Sequence, residues 1–303
     1  FHGLEDGPRL FMCAALHGDE LNGLEIIRRI SAELDPGRLK GTVLLAPVVN
    51  VYGFITQSRY LPDRRDLNRS FPGSAKGSLA ARLAHIFLKE IALKCTHGID
   101  LHTAAFNRFN HPQIRADLSD PETRLCAEAF GAPVIIHSNA RDGSLRDAAS
   151  REGLMVLLYE GGEALRFNHD AVSIGVRGAL RVMTLLGMHP GGEPMEKTEG
   201  GTIEIIRTRW VRARTSGVMR LSVTLGSHIE KGQILGTISD PFNASQNLVK
   251  APCAGIVIGD TNNPLVHRGD AVIHVGIPAV SVEPPAAGGA PDSRVLPEKT
   301  GMS

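Results

Sequence analysis

At 303 residues and 42% hydrophobic content, the chain can bury a full core and is long enough for two domains. Its 33 basic and 32 acidic residues leave a net charge of +1, which argues against bulk binding to nucleic acid or to an anionic membrane surface. No apolar run approaches the roughly 20 residues that span a bilayer.

From Leu10 to about Met188, short apolar strands alternate with helical patterns. The spacing predicts strands at Leu10–Leu16, Thr42–Val49, Gly98–His102, Val134–His137 and Met155–Glu160. Helices are predicted at Leu21–Glu33, Leu79–Cys95, Pro121–Phe130 and Ala171–Gly187. Such alternation predicts an α/β sheet with helices on both faces, and ligands bind such sheets at the carboxyl ends of the strands. His17, Glu20, Asn50, His102 and Glu160 all fall at such ends. Phe106–Arg115 and Ser138–Asp142 read as loops that line a pocket.

After His189-Pro190-Gly191-Gly192 helical periodicity stops, and short β-rich segments run to about Val275. The boundaries expected are a first domain at 1–188, a linker at 189–200, a β domain at 201–280 and a disordered Pro/Ala/Gly-rich tail at 281–303. The β region holds a repeat. Ala213–Val218 matches Ala251–Ile256, and Lys231–Leu235 matches Arg268–Val272. Two copies of one unit predict a pseudo-twofold sandwich or barrel in which each half completes the other's core. Cys13, Cys95, Cys126 and Cys253 form no C-x-x-C pair and read as reduced residues, which favours a cytoplasmic setting. The chain begins at Phe1 without a methionine, so a truncated N-terminus stays open.

The chemistry concentrates in four places. His17-Gly-Asp-Glu20 is an H-x-x-E on a strand-to-helix turn, where an imidazole and a carboxylate can converge on one zinc ion. His102, ending the strand Gly98–His102, suits a third ligand, with Asp100 orienting a ligand imidazole from behind. The plain alternative for His102 is a hydrogen-bonded histidine capping a strand. The loop Ser58–Phe71 carries four arginines and two aspartates. It is either a self-paired solvated surface or the source of a guanidinium fork for a substrate carboxylate and of a second arginine for an oxyanion. Glu160, at the tip of an apolar strand, suits a general base that takes a proton from water and passes it to a leaving nitrogen. Its alternative is a structural pairing with an arginine, and Glu163 is the weaker candidate for the same role.

Taken in order, His17-Gly-Asp-Glu20, Asp66-Leu-Asn68-Arg69-x-Phe71, Asp100-Leu-His102-Thr103 and Glu160 resemble the succinylglutamate desuccinylase/aspartoacylase family over roughly residues 8–188. The resemblance implies a zinc carboxypeptidase-like mixed sheet and one zinc ion per chain, held by His17, Glu20 and His102. It also implies Glu160 as catalytic base, Asn68 and Arg69 as holders of a substrate carboxylate, and Arg59 as the oxyanion-stabilising arginine, with Arg64 and Arg65 as competitors. Arg146 is similar to a further substrate-binding arginine. The segment from Gly217 to Asp270 resembles biotinyl/lipoyl-like β modules, yet Ser239–Gln246 has no lysine where the carriers hold theirs. That excludes a swinging arm and leaves a domain that packs on the zinc domain and restricts access. Arg207, Arg209, Arg212 and Arg214 are either a positive entrance or a solvated strand face.

The leading expectation is zinc-dependent removal of an acyl group from an N-acyl amino acid or similar small anionic carboxylate, with an ester as an alternative bond. A carboxypeptidase acting on short peptides is the enzymatic alternative, and a non-catalytic binding protein is the alternative from another class. Oligomeric state is left open.

Overall fold

The computed structural model describes residues 1–189, 201–242 and 245–279. Strand β1 (Glu5–Ala14) runs parallel to β2 (Lys40–Ala46) on one side and to β3 (His97–His102) on the other. Leu10, Met12 and Ala14 point into one apolar cluster, and Phe11 and Cys13 into another. A strand covered on both faces needs apolar side chains at every position, hence the unbroken run in the sequence. Helices α1 (Asn22–Glu33), α4 (Pro121–Phe130) and α6 (His169–Leu185) cover the first face. Helices α3 (Leu79–Glu90) and α5 (Leu145–Arg151) cover the second, and α2 (Val51–Ile55) is one short turn beyond β2. Ser78, Asp120, Ser144 and Asn168 cap α3, α4, α5 and α6 by accepting a backbone N–H from the first turn.

Beyond β3 the sheet continues through β6 (Met155–Glu163), β4 (Arg108–Ala116) and β5 (Val134–His137). Strand β4 corrects the loop expected at Phe106–Arg115. It lies antiparallel to β6 and parallel to β5. The strand β1 also ends earlier than expected, at Ala14, which frees Leu16 and His17 for the turn. Strand β2 stops at Ala46 rather than Val49, and β6 runs past Glu160 to Glu163.

The change of texture near residue 189 does not break the sheet. Strand β7 (Ile203–Arg212) runs parallel to β5, β14 (Ala271–Pro278) is antiparallel to β7, and β12 (Gly255–Thr261) is antiparallel to β14. Strand β12 then returns to β4, pairing Gly259 with Asn110, Asp260 with Phe109 and Thr261 with Arg108. The ring β4-β5-β7-β14-β12 is therefore closed, around an apolar cluster of Val134, Ile136, Ile205, Ile256 and Ile258. Closure removes free strand edges on both sides of the seam.

A second sheet holds β11 (Gln246–Lys250), β10 (Ile234–Ser239), β8 (Gly217–Leu221) and β13 (Leu265–Val266) in that order. The two repeats exchange short strands. Strand β9 (His228–Ile229), from the first copy, pairs with β12 of the second, while β13 pairs with β8. Leu235, Ile238, Val257, Val272 and Ile273 join one shared core. All but the first residue of the expected linker at 189–200, and all of the tail at 281–303, lie outside the described residues. All four cysteines are free thiols, three of them buried. No helix among the described residues is long and apolar enough to cross a membrane.

Candidate metal centre and active site

At the end of β1, Ala15 takes a left-handed backbone conformation (φ 49°) that non-glycine residues rarely adopt. The chain turns there, and the Glu20 N–H donates to the His17 carbonyl at 3.1 Å. The turn presses on α2. A Cβ at Gly18 would lie 1.9 Å from the Gly53 carbonyl carbon, so only glycine fits between His17 and Asp19. His17 Nδ1 lies 2.7 Å from Glu20 Oε1, and His102 Nδ1 lies 2.7 Å from Glu20 Oε2. The Thr103 N–H donates to the same Oε2 at 3.1 Å.

The outer nitrogens of both rings face carboxylates. His17 Nε2 is 3.1 Å from Asp66 Oδ1, and His102 Nε2 is 3.0 Å from Asp100 Oδ2. Each imidazole thus turns Nδ1 toward a common point, and all three side chains offer a ligand atom within 4.8 Å of the others. Two imidazoles, which bind a metal in their neutral form, and one carboxylate, each imidazole backed by a carboxylate, form a donor set suited to a metal ion such as zinc. The charges of the cluster act strongly on one another. Burial disfavours charged His17 and His102, but the carboxylates beside them outweigh it and raise both pKa values, that of His102 strongly. Burial likewise opposes ionised Glu20, yet the two histidines hold it well below the usual carboxylate range.

Parallel pairing of β3 with β6 sets Glu160 directly beside His102. Asn110 Nδ2 donates to Glu160 Oε2 at 2.8 Å, and Arg115 Nε lies 3.3 Å from that oxygen, at ion-pair distance without hydrogen-bond alignment. Asn68 accepts the Leu145 N–H through Oδ1 at 2.9 Å, so its NH₂ is the end left for a ligand. Arg69 donates to the Asn68 carbonyl. Arg146 donates to the Asn139 carbonyl at 2.9 Å and to Ser138 Oγ at 3.2 Å, while its buried Nη1 has no partner. Arg59 bridges Glu20 (3.3 Å) and Asp66 (2.9 Å).

A single cavity of about 520 Å³ is lined by all nine residues expected from the sequence: His17, Glu20, Arg59, Asn68, Arg69, Asp100, His102, Arg146 and Glu160. Arg64 and Arg65 are exposed and do not line it. Four lining arginines, Arg69, Arg108, Arg141 and Arg146, have no carboxylate at ion-pair distance among the described residues. The C-terminal strands add a wall that the sequence did not reveal. Trp210 and His274 stack with centroids 4.2 Å apart and planes 4° apart, and the Arg108 guanidinium sits 4.5 Å over the indole. Burial first, then Arg115, Arg108 and Arg141, push the His274 pKa down to about 3, so its imidazole is neutral. Arg207, Arg209, Arg212 and Arg214 lie on exposed positions and do not line this cavity, and Arg209, Arg212 and Arg214 line a separate surface groove. Asp66 also escaped sequence reasoning as a partner of His17, although it stands in the Asp66-Leu-Asn68-Arg69 motif.

Residues 6–186 match the succinylglutamate desuccinylase/aspartoacylase catalytic domain. The chain belongs to this family. Within it, the chain is 26% identical over 244 residues to N-alpha-acetyl-L-2,4-diaminobutyric acid deacetylase of Halomonas elongata, covering 78% of this chain and 71% of that protein. The crystal structure of a succinylglutamate desuccinylase/aspartoacylase from Rhodobacter sphaeroides superposes with a TM-score of 0.82 at 28% identity, covering 91% of this chain and 87% of that one. The product-bound ectoine utilization protein EutE (DoeB) from Ruegeria pomeroyi has the same fold, with a TM-score of 0.82 at 23% identity and the same two coverages. The family match ends at residue 186, whereas both superpositions cover about nine-tenths of the chain.

Proposed function

We propose that this family member is a zinc-dependent hydrolase that removes the acyl group from a small anionic N-acyl amino acid. The observation that carries the reading is the meeting, in one cavity, of the His17–Glu20–His102 donor set, the Glu160 carboxylate and a set of arginines lacking carboxylate partners among the described residues. His17 Nδ1, Glu20 and His102 Nδ1 would hold the ion, which when bound supplies Lewis acidity and acidifies water.

The chain's own groups then divide the work. Arg69, with the NH₂ of Asn68, grips the carboxylate of the amino acid and fixes the scissile amide in place. Arg146 is a second cation for the same substrate. Glu160 takes a proton from the attacking water and returns it to the amide nitrogen as the C–N bond breaks. Arg59 neutralises charge developing on the former carbonyl oxygen. Asp66 and Asp100 fix the ring orientation of His17 and His102. The wall of Trp210 and His274 narrows the cavity and favours a small substrate over a peptide chain, in keeping with the C-terminal strands acting as a barrier.

The relative from Halomonas elongata acts, by its name, on an acetylated diamino acid. A side-chain cation would meet the arginines here unfavourably, so we place this chain's substrate among N-acyl amino acids without a second amine. Incubating the zinc-loaded protein with N-acetyl, N-succinyl and N-formyl amino acids should release free amino acid from at least one set, read by amine detection. Absence of free amine from every one, and of released acid from ester counterparts, would remove the catalytic reading.

A further inference from the structure

We infer that the C-terminal strands hold the Glu160 carboxylate in register, with Asn110 and Gly259 as positioning residues. The inference rests on Glu160 acting as the base. Asn110 Nδ2 and Arg115 Nε both approach Oε2 of Glu160, and no hydrogen bond or ion pair reaches Oε1 among the described residues. One oxygen is therefore anchored and the other keeps its lone pairs for a proton. An ionised carboxylate only accepts, so the Asn110 amide must present its NH₂ to Glu160. The strength of that anchor depends on how firmly Asn110 itself is held.

Strand β6 alone does not hold it. The β4–β6 ladder loses register between Asn110 and Gln113, beside Pro112. Proline supplies no N–H to a ladder and is found in sheets at such irregularities. At this point β12 takes over, pairing Gly259 with Asn110. The Thr261 hydroxyl and the Asn262 N–H each donate to the Asn107 carbonyl at 3.1 Å, which fastens the start of β4 to the end of β12. Asn262 also donates through its side chain to Glu163, on the strand that carries Glu160. The contact is tight. A Cβ at Gly259 would stand 2.9 Å from Asn110 Oδ1 and 3.2 Å from the Phe109 carbonyl oxygen. A methyl group at 259 has to displace the Asn110 amide, whose other end donates to Glu160, and we expect that displacement to weaken the anchor.

The test is a double-mutant cycle on the full chain loaded with zinc, assayed on whichever N-acetyl amino acid it turns over. Asn110→Ala should lower kcat by about 10- to 100-fold with KM within about twofold and zinc content unchanged. Gly259→Ala should lower kcat by about tenfold, and the double variant should be no worse than Asn110→Ala alone, because both act through one contact. Asn110→Asp keeps the shape, removes the donor and adds a like charge, so it should fall below Asn110→Ala. Thermal unfolding of each variant reports its fold. If Glu160→Gln is inactive while Asn110→Ala keeps its kcat, or if the single losses multiply in the double variant, this inference fails and the base remains. If Glu160→Gln keeps the native kcat, both fail together.

Discussion

The two regions of the molecule treat buried polarity in opposite ways. Residues 1–189 enclose His17, Asp19, Glu20, Asn68, Asp100, His102 and several further polar side chains, whereas His274 is the one buried polar residue recorded among the described residues from 201 to 279. Burying charge is costly unless it is paired, and the first region compensates with carboxylate–imidazole and carboxylate–arginine pairs. The second has an ordinary apolar core. Its single exception lines the cavity, stacked on Trp210. Much of the buried polarity lines the cavity of the proposed site, which the second region reaches through Thr208, Trp210 and His274.

The sharpest break in this contrast comes from the first region. His102→Ala should abolish both zinc binding and turnover, measured by metal analysis and hydrolysis of an N-acyl amino acid, with the fold intact by circular dichroism. Retained zinc and activity would place the chemistry elsewhere. A core change in the second region should act on stability instead. Leu235 is fully buried, and Leu235→Ala should cost about 2–5 kcal/mol. Because β12 is paired to β4, denaturant titration should give one transition in which Trp210 fluorescence and zinc release coincide. Two separated transitions would show the regions to be independent.

Smaller effects refine the picture. Arg69→Ala should raise KM for a carboxylate-bearing substrate by about 10- to 100-fold, matching about 1.5–3 kcal/mol for a charged hydrogen bond. Arg69→Lys should not restore it, since an ammonium lacks the bidentate fork. The smallest effect belongs to His274. Its pKa in the fold is about 3, below the value near 6.5 of an unfolded histidine. The unfolded chain therefore binds the extra proton in that interval, and the native state loses stability as pH falls from about 6.5 toward 3. Comparing the pH dependence of unfolding with that of His274→Phe should show the variant flatter over this window, and parallel curves would exclude it.

Much of the candidate site was legible because its proposed metal ligands sit where pattern and chemistry coincide. His17 and Glu20 flank the end of an apolar strand and the start of a helix, and His102 ends the next strand. Strand β4 was not legible. Asn110, His111, Pro112 and Gln113 interrupt its alternation, and the irregularity that Pro112 accompanies is visible only once β6 and β12 lie on either side. Asp66 read as one charge in a crowded loop, because its contact with His17 spans 49 residues of chain. Trp210 and His274 lie on strands whose cavity-facing side depends on how the ring β4-β5-β7-β14-β12 closes, a tertiary fact with no local signature. The exchange of β9 and β13 follows the internal repeat, which the sequence does display.

A metal-binding triad and a separate base sharing one cavity are the core of the proposed function. Zinc content and turnover of Glu160→Gln, measured beside the native protein on the same N-acyl amino acid, test it most directly. The prediction is one zinc per chain in both proteins with turnover in the native protein alone. Turnover by Glu160→Gln at the native rate, or loss of its zinc, would contradict it.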